Sequence, residues 1–283
     1  MMYFYIKSNR MITFPRAKIN IGLRITGRRP DGFHDIETLF CPVPLCDALE
    51  FVVAGDQKSS DILTVTGIDT GGETRDNLVL KAVNKLREKH NFPVLKIHLH
   101  KSIPAGAGLG GGSSDAAFIL KGINRCHGLK LDNDALREVA LELGSDCPFF
   151  IDCAPAYATG RGEILIPCEK NLLENHYMLL LNPGVGVNTR EAYQNCHPHK
   201  STVSLHELIS MPSDNWRDNI VNDFEEYAFS RHPQIRMLKD ELYKAGALFS
   251  LMSGSGSSVF GIFTRRPLLP ENLRQYVIWQ GVL

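Results

Sequence analysis

The chain reads as an α+β protein of two domains, and three observations carry that prediction. Its strands and helices come in mixed order rather than in the strand–helix alternation of a parallel sheet. Its 283 residues are more than one average domain needs. Its composition, 43% apolar and 22% charged, is that of an ordinary globular chain and argues against disorder. Pro167, charged residues and Asn cluster between two strands around residues 168–175. The division is therefore predicted as an N-terminal domain, 1–168, and a C-terminal domain, 169–283.

The elements follow from periodicity. Lys18 to Thr26 alternates with Ile19, Ile21, Leu23 and Ile25 on one face and reads as a strand. Thr38 to Pro44, Asp47 to Val53 and Asp61 to Thr66 are further short strands, split by Pro, Asp and Gly. Asn77 to His90 puts Leu78, Ala82, Val83 and Leu86 on one helical face. Val94 to Lys101 is a strand, and Ala116 to about His127 is an apolar helix. Asp132 to Leu143 is helical, with Gly144 as its stop. Tyr177 to Leu181 is a buried strand. Helices are predicted over Thr189 to Asn195, Asp223 to Ser230 and Gln234 to Ala245, and strands over Leu248 to Met252 and Val259 to Thr264. About twenty residues then remain, room for one short helix and one strand.

Bulk properties exclude several classes. With 31 basic and 31 acidic residues the formal charge is zero, so neither a nucleic-acid groove nor an anionic membrane is an expected partner. No apolar run reaches the length of a membrane span. The leader Met1 to Arg10 is too short for a signal peptide, and Met11 is an alternative start. Seven cysteines without a C-x-x-C pair suit a reduced cytoplasm. His98 and His100, and His197 and His199, lack the further ligands of a zinc motif. The sequence is compatible with a monomer or a homodimer.

The most informative stretch is Pro104 to Ala117, with five glycines between Gly106 and Gly112. Glycine lets backbone approach a ligand, and a loop of exposed N–H groups entering a helix N-terminus suits phosphate. No Lys-Ser/Thr pair follows the last glycine, so this is not a Walker A loop. Gly106, Gly108 and Gly111 satisfy a dinucleotide fingerprint, but Ser102 to Ala105 separate them from the strand where that motif needs an immediate turn. A glycine loop that binds nothing is the plain alternative.

P-x-x-x-G-L-G-G-G-S-S-x-A-A resembles the second motif of the GHMP kinases, a family named after galactokinase, homoserine, mevalonate and phosphomevalonate kinases. Pro15-Arg16-Ala17-Lys18-Ile19-Asn20-Ile21 resembles the first motif, and Leu251 to Phe260, L-M-S-G-S-G-S-S-V-F, the third. One branch of that family fits closely through Ile25 to His34, Leu143 to Phe150, Asn182 to Val185 and Asn222 to Glu225. That branch serves the non-mevalonate route to isoprenoids and phosphorylates a tertiary hydroxyl of a cytidine-diphosphate methylerythritol substrate. The resemblance implies an N-terminal ATP-binding domain, a ferredoxin-like C-terminal domain and an active site in the cleft. ATP with Mg²⁺ would be the co-substrate.

It also implies roles for residues. Pro104, Ala105, Gly106, Ala107, Gly108, Leu109, Gly110, Gly111, Gly112, Ser113 and Ser114 would hold the ATP phosphates, with Asn77 and Lys101 near the nucleotide. Ser114 is the candidate Mg²⁺ ligand, although either serine could hold the metal while the other caps the helix. Asp146, in a Gly-Ser-Asp turn, falls on the family's catalytic base, and Lys18 would be its ammonium partner. Asp is also a common turn residue and Lys18 could be a solvated strand end. Asn20, Phe33, His34 and Tyr193 would contact the substrate. Phe33 stands where Tyr is frequent, so a hydroxyl contact would be lost. Gly254 and Gly256 would buttress the phosphate loop by close backbone approach.

Overall fold

The structure is a computed structural model that describes residues 5–7, 10–55, 60–168, 172–199, 201–211 and 215–283. Residue 169, where the predicted domain division falls, and most of the Met1 to Arg10 leader lie outside the described residues. The chain forms two compact units and passes between them at 17/18, 43/44, 105/106, 109/110 and 154/155.

The first unit comprises 1–17, 44–105 and 110–154. Its five-stranded sheet has the order β1 (Tyr5–Lys7), β2 (Arg10–Thr13), β5 (Ala48–Val53), β7 (Leu95–Lys101), β6 (Ile62–Gly67). All pairings are antiparallel except β6 with β7, which is parallel and is bridged by helix α1 (Leu78–Arg87). A parallel pair needs such a crossover, whereas a hairpin suffices for an antiparallel one. β7 alternates strictly, with Leu95, Ile97 and Leu99 buried and Lys96, His98 and His100 exposed. Helix α2 (Gly111–His127) packs on α1, and α3 (Asn133–Leu141) and α4 (Phe149–Asp152) complete the unit.

The second unit comprises 18–43, 106–109 and 155–283. One sheet has the order β3 (Arg16–Arg28), β4 (His34–Cys46), β8 (Ala156–Thr159), β9 (Ile164–Pro167). Strands β3 and β4 each run across a division, at 17/18 and 43/44. A second, antiparallel sheet has the order β11 (Phe249–Met252), β12 (Val259–Phe263), β10 (Tyr177–Leu181), β13 (Val277–Val282). The remaining helices are α5 (Thr189–Asn195), α6 (Leu205–Ser210), α7 (Trp216–Asn219), α8 (Glu225–Arg231), α9 (Pro233–Lys244) and α10 (Glu271–Arg274). The β8–β9 hairpin and the short helices α4, α6 and α7 have no counterpart in the sequence prediction.

Helix α9 shows how the second sheet gains its core. Ile235, Leu238 and Leu242 recur at helical spacing and are fully buried against β11 and β12. Truncating the middle one removes apolar contact and leaves a cavity. Leu238→Ala is expected to cost about 2–5 kcal/mol of unfolding free energy. Urea denaturation of the purified variant measures this, and an unchanged midpoint would contradict the seating of α9.

Candidate active site

In the second unit the segment Gly106–Leu109 is pinned from two sides. The Lys18 N–H donates to the Leu109 carbonyl at 2.9 Å, which ties the segment to β3. From the other side, the Ser253 hydroxyl donates to the Gly108 carbonyl at 2.9 Å, and the Ser258 N–H donates to Ala107 at 3.2 Å. Gly108 has φ +76°, and a Cβ there would run into the Ser253 carbonyl, so no other residue fits. A Cβ on Gly254 would come within 3.0 Å of the Gly108 carbonyl oxygen, a less severe but still tight approach, as the sequence led us to expect of a buttress. The 252–258 turn is itself held by two quoted segments. Asn222 donates to the carbonyls of Met252 and Gly254, both at 2.8 Å, and Glu225 accepts from the Met252 N–H at 3.0 Å. Asn182 donates to the Ser258 hydroxyl at 3.0 Å, and Ser257 to the Val185 carbonyl.

Lys18 is buried, and its ammonium is oriented by a hydrogen-bond relay within the same unit. Nζ donates to Asn20 Oδ1 at 2.6 Å, Asn20 Nδ2 donates to Thr38 Oγ1 at 2.9 Å, and the Thr38 hydroxyl donates to the Gly22 carbonyl at 2.6 Å. Thr38 spends its only proton on a carbonyl, so its oxygen must accept from Asn20. That fixes the amide so that its oxygen faces Lys18. The relay therefore favours a charged lysine, and the Phe40 ring, 5.0 Å from Nζ, adds to this. Both ends of the Asn20 side chain are engaged within the protein. Thr38 carried no recognisable signal in the sequence, being one hydroxyl residue among many, whereas Ser253 lies in the third motif but with no role legible there.

The remaining predicted residues of this unit fall into two ring contacts. His34 stacks on Tyr193 with centroids 4.9 Å apart, and Tyr193 meets Phe224 edge-on at 4.8 Å. Burial pushes the His34 pKa below its ordinary value, Arg28 lowers it further and Asp35 opposes them, so the ring is neutral near pH 7. Its Nε2 is buried and has no hydrogen-bond partner among the described residues. Phe33 is 48% exposed and carries the Arg161 guanidinium 4.5 Å from its ring centre. Arg161, in the β8–β9 turn, had no sequence signal.

In the first unit, helix α2 starts at Gly110, whose φ of +69° is left-handed and which offers no side-chain cap. Neither serine is the cap, since Ser113 and Ser114 are the third and fourth residues of the helix. The first-turn amides are thus left to an external acceptor. Ser114 is fully buried, and its Oγ has no hydrogen-bond partner among the described residues. Ser113 hydrogen-bonds the Cys147 thiol, whose pKa burial pushes up to about 12 against the effect of Ser113. Hence the turn carrying Asp146, next to Cys147, lies against the first turn of α2. Asn77 caps α1 by accepting from the Val79 N–H at 2.9 Å. Beside it is a cavity of about 490 Å³ lined by residues 65–74, Asp76 and Asn77. Lys101 is not open to a ligand, being 5% exposed and ion-paired with Asp47 and Asp115.

Comparison with known proteins identifies the family of the chain. Residues 77–159 match the family model for the GHMP kinases N terminal domain, and residues 199–276 match GHMP kinases C terminal. The chain is 47% identical to a 4-diphosphocytidyl-2-C-methyl-D-erythritol kinase of Parabacteroides distasonis, over 96% of this chain and 100% of that protein. It is 48% identical to the protein of the same name from Bacteroides thetaiotaomicron, over 92% and 95%. A crystal structure of 4-(cytidine 5'-diphospho)-2C-methyl-D-erythritol kinase superposes with a TM-score of 0.76 at 30% identity, covering 96% of this chain and 98% of that one. A Methanococcus jannaschii mevalonate kinase, 12% identical with a TM-score of 0.66, shares the fold. The chain belongs to the GHMP kinase family and is a small-molecule kinase of two-domain α+β fold.

Proposed function

We propose that the chain transfers the γ-phosphoryl group of ATP to the 2-hydroxyl of 4-diphosphocytidyl-2-C-methyl-D-erythritol, in the cytoplasm, on the non-mevalonate route to isoprenoid precursors. The observation that carries this reading is 47% identity to a kinase so named over its entire length. All seven cysteines are free thiols, in keeping with a reducing compartment. No helix among the described residues is long and apolar enough to cross a membrane.

Phosphoryl transfer asks for in-line placement and neutralisation of charge. The glycine run from Pro104 to Gly112 and the uncapped start of α2 supply N–H dipoles to the phosphates. Mg²⁺ enters with ATP as part of the co-substrate, and the unpartnered Ser114 Oγ is a suitable hard oxygen donor for it. The cavity beside Asn77 suits the nucleoside. Lys101 acts on the nucleotide only through the backbone it braces. Asp146 accepts the hydroxyl proton as the new P–O bond forms. The Lys18 ammonium favours both the ionised carboxylate and the developing alkoxide. Asn20 holds Lys18 through its oxygen and Thr38 through one N–H, and its second Nδ2 hydrogen serves the substrate polyol. Phe33, His34 and Tyr193 hold the cytosine, the neutral His34 ring through its unpartnered Nε2.

Three outcomes are expected. Given Mg–ATP, the chain releases ADP with the cytidylyl substrate and not with homoserine, mevalonate or galactose. Turnover of homoserine or mevalonate alone would overturn the assignment. Asp146→Asn keeps nucleotide binding but lowers kcat by about 10²–10⁴, and a near-normal rate would remove Asp146 from its role. Thr38→Val breaks the relay that orients Lys18. It should lower kcat about tenfold with an unchanged KM for ATP, and steady-state kinetics that match the unsubstituted chain would contradict the relay.

A further inference from the structure

Lys101, Asp47 and Asp115 take no part in the chemistry proposed above, yet they place three ionisable groups inside the first unit. They are 5%, 0% and 2% exposed. The Lys101 ammonium, at the end of β7, donates to Asp115 Oδ2 at 2.6 Å and to Asp47 Oδ2. Asp47, in the β4–β5 connection, also accepts with Oδ1 from the N–H groups of Ser102 at 2.6 Å and Ile103 at 2.9 Å. Those two residues lead from β7 into the glycine run. Asp115 lies in α2, one residue after Ser114. A Cβ on Gly111 would lie 3.4 Å from Lys101 Nζ and 2.9 Å from Ile103 Cγ2, so the first residue of α2 rests directly on the cluster. Apolar side chains of the same volume would often stabilise such an interior as well or better, so stability alone does not explain these charges.

We propose that Lys101, Asp47 and Asp115 are positioning residues, a brace that locks the exit of β7 to the first turn of α2 and thereby sets the affinity of the glycine run for nucleotide phosphates. The proposal rests on the reading of that run as the ATP site.

Two carboxylates share one ammonium, which ties the β4–β5 connection, the end of β7 and α2 together through a single charge. The Asp115 Oδ1 is buried without a hydrogen-bond partner among the described residues, so its carboxylate depends on Lys101 for compensation.

Calorimetric titration of the full chain with Mg–ADP tests this. Asp115→Asn should weaken binding several-fold, and Asp115→Ala and Lys101→Met about tenfold or more, with the KM of the acceptor alcohol changed less than about twofold. Should Lys101→Met not fold, the two Asp115 variants decide. Asp115→Asn and Asp115→Ala binding as tightly as the unsubstituted chain overturn the brace while leaving the ATP reading intact. A parallel loss of affinity for the alcohol also overturns it. If the unsubstituted chain binds no Mg–ADP, both readings fall.

Discussion

The approach of Gly108 to Ser253 is the constraint on which the rest of the second unit depends. Two stretches of backbone, far apart in sequence, come so close that Gly108 can carry no side chain without displacing Ser253. Once they meet, Lys18 is bound to Leu109 through its own N–H, and its side chain is directed by the Asn20–Thr38–Gly22 relay. A flexible glycine run would lose much of its binding energy to ordering. A run already pinned through its carbonyls keeps its N–H groups available and loses less. The segments around Asn182 and Asn222 serve the same end at one remove, because they hold the turn that holds the glycines.

The charge economy of the molecule is local. A chain with no net charge has no long-range field with which to attract a triphosphate. In the proposed reading, attraction comes from a helix start without a side-chain cap and from a buried, oriented lysine. Buried charge is costly, and the structure meets that cost with hydrogen bonds at Lys18 and with carboxylates at Lys101. The two lysines thus differ in kind. The Lys18 ammonium is oriented by a neutral amide, whereas the Lys101 ammonium is ion-paired with two carboxylates inside the fold.

Local pattern made much of the fold legible. Tyr177 to Leu181 and Thr189 to Asn195 were read with their observed limits, the first from an unbroken apolar run, and the structure shows the second capped by Asn188. The β8–β9 hairpin escaped because Ala156 to Thr159 does not alternate, and because Ile164 to Pro167 is an edge strand closed by a proline. Helix α6 carried a readable Ser204…Glu207 capping box but is only six residues long. At the site, the glycine motif, Lys18 and the His34–Tyr193 pair were visible through motif and residue type. Thr38 and Asp47 were not, and Ser253 was visible only as a member of the third motif, since the importance of all three lies in contacts with residues remote in the chain. Lys101 shows the opposite failure, because a cation next to a phosphate loop invites a direct contact that its two carboxylates preclude.

The central claim is that this pinned glycine run is the phosphate cradle. A crystal structure of the chain with Mg²⁺ and a non-hydrolysable ATP analogue tests it most directly. The account predicts phosphate oxygens within hydrogen-bonding distance of the main-chain amides from Gly110 to Ser113, with Gly108 and Ser253 unmoved. A triphosphate bound elsewhere, leaving those amides to solvent, would contradict it.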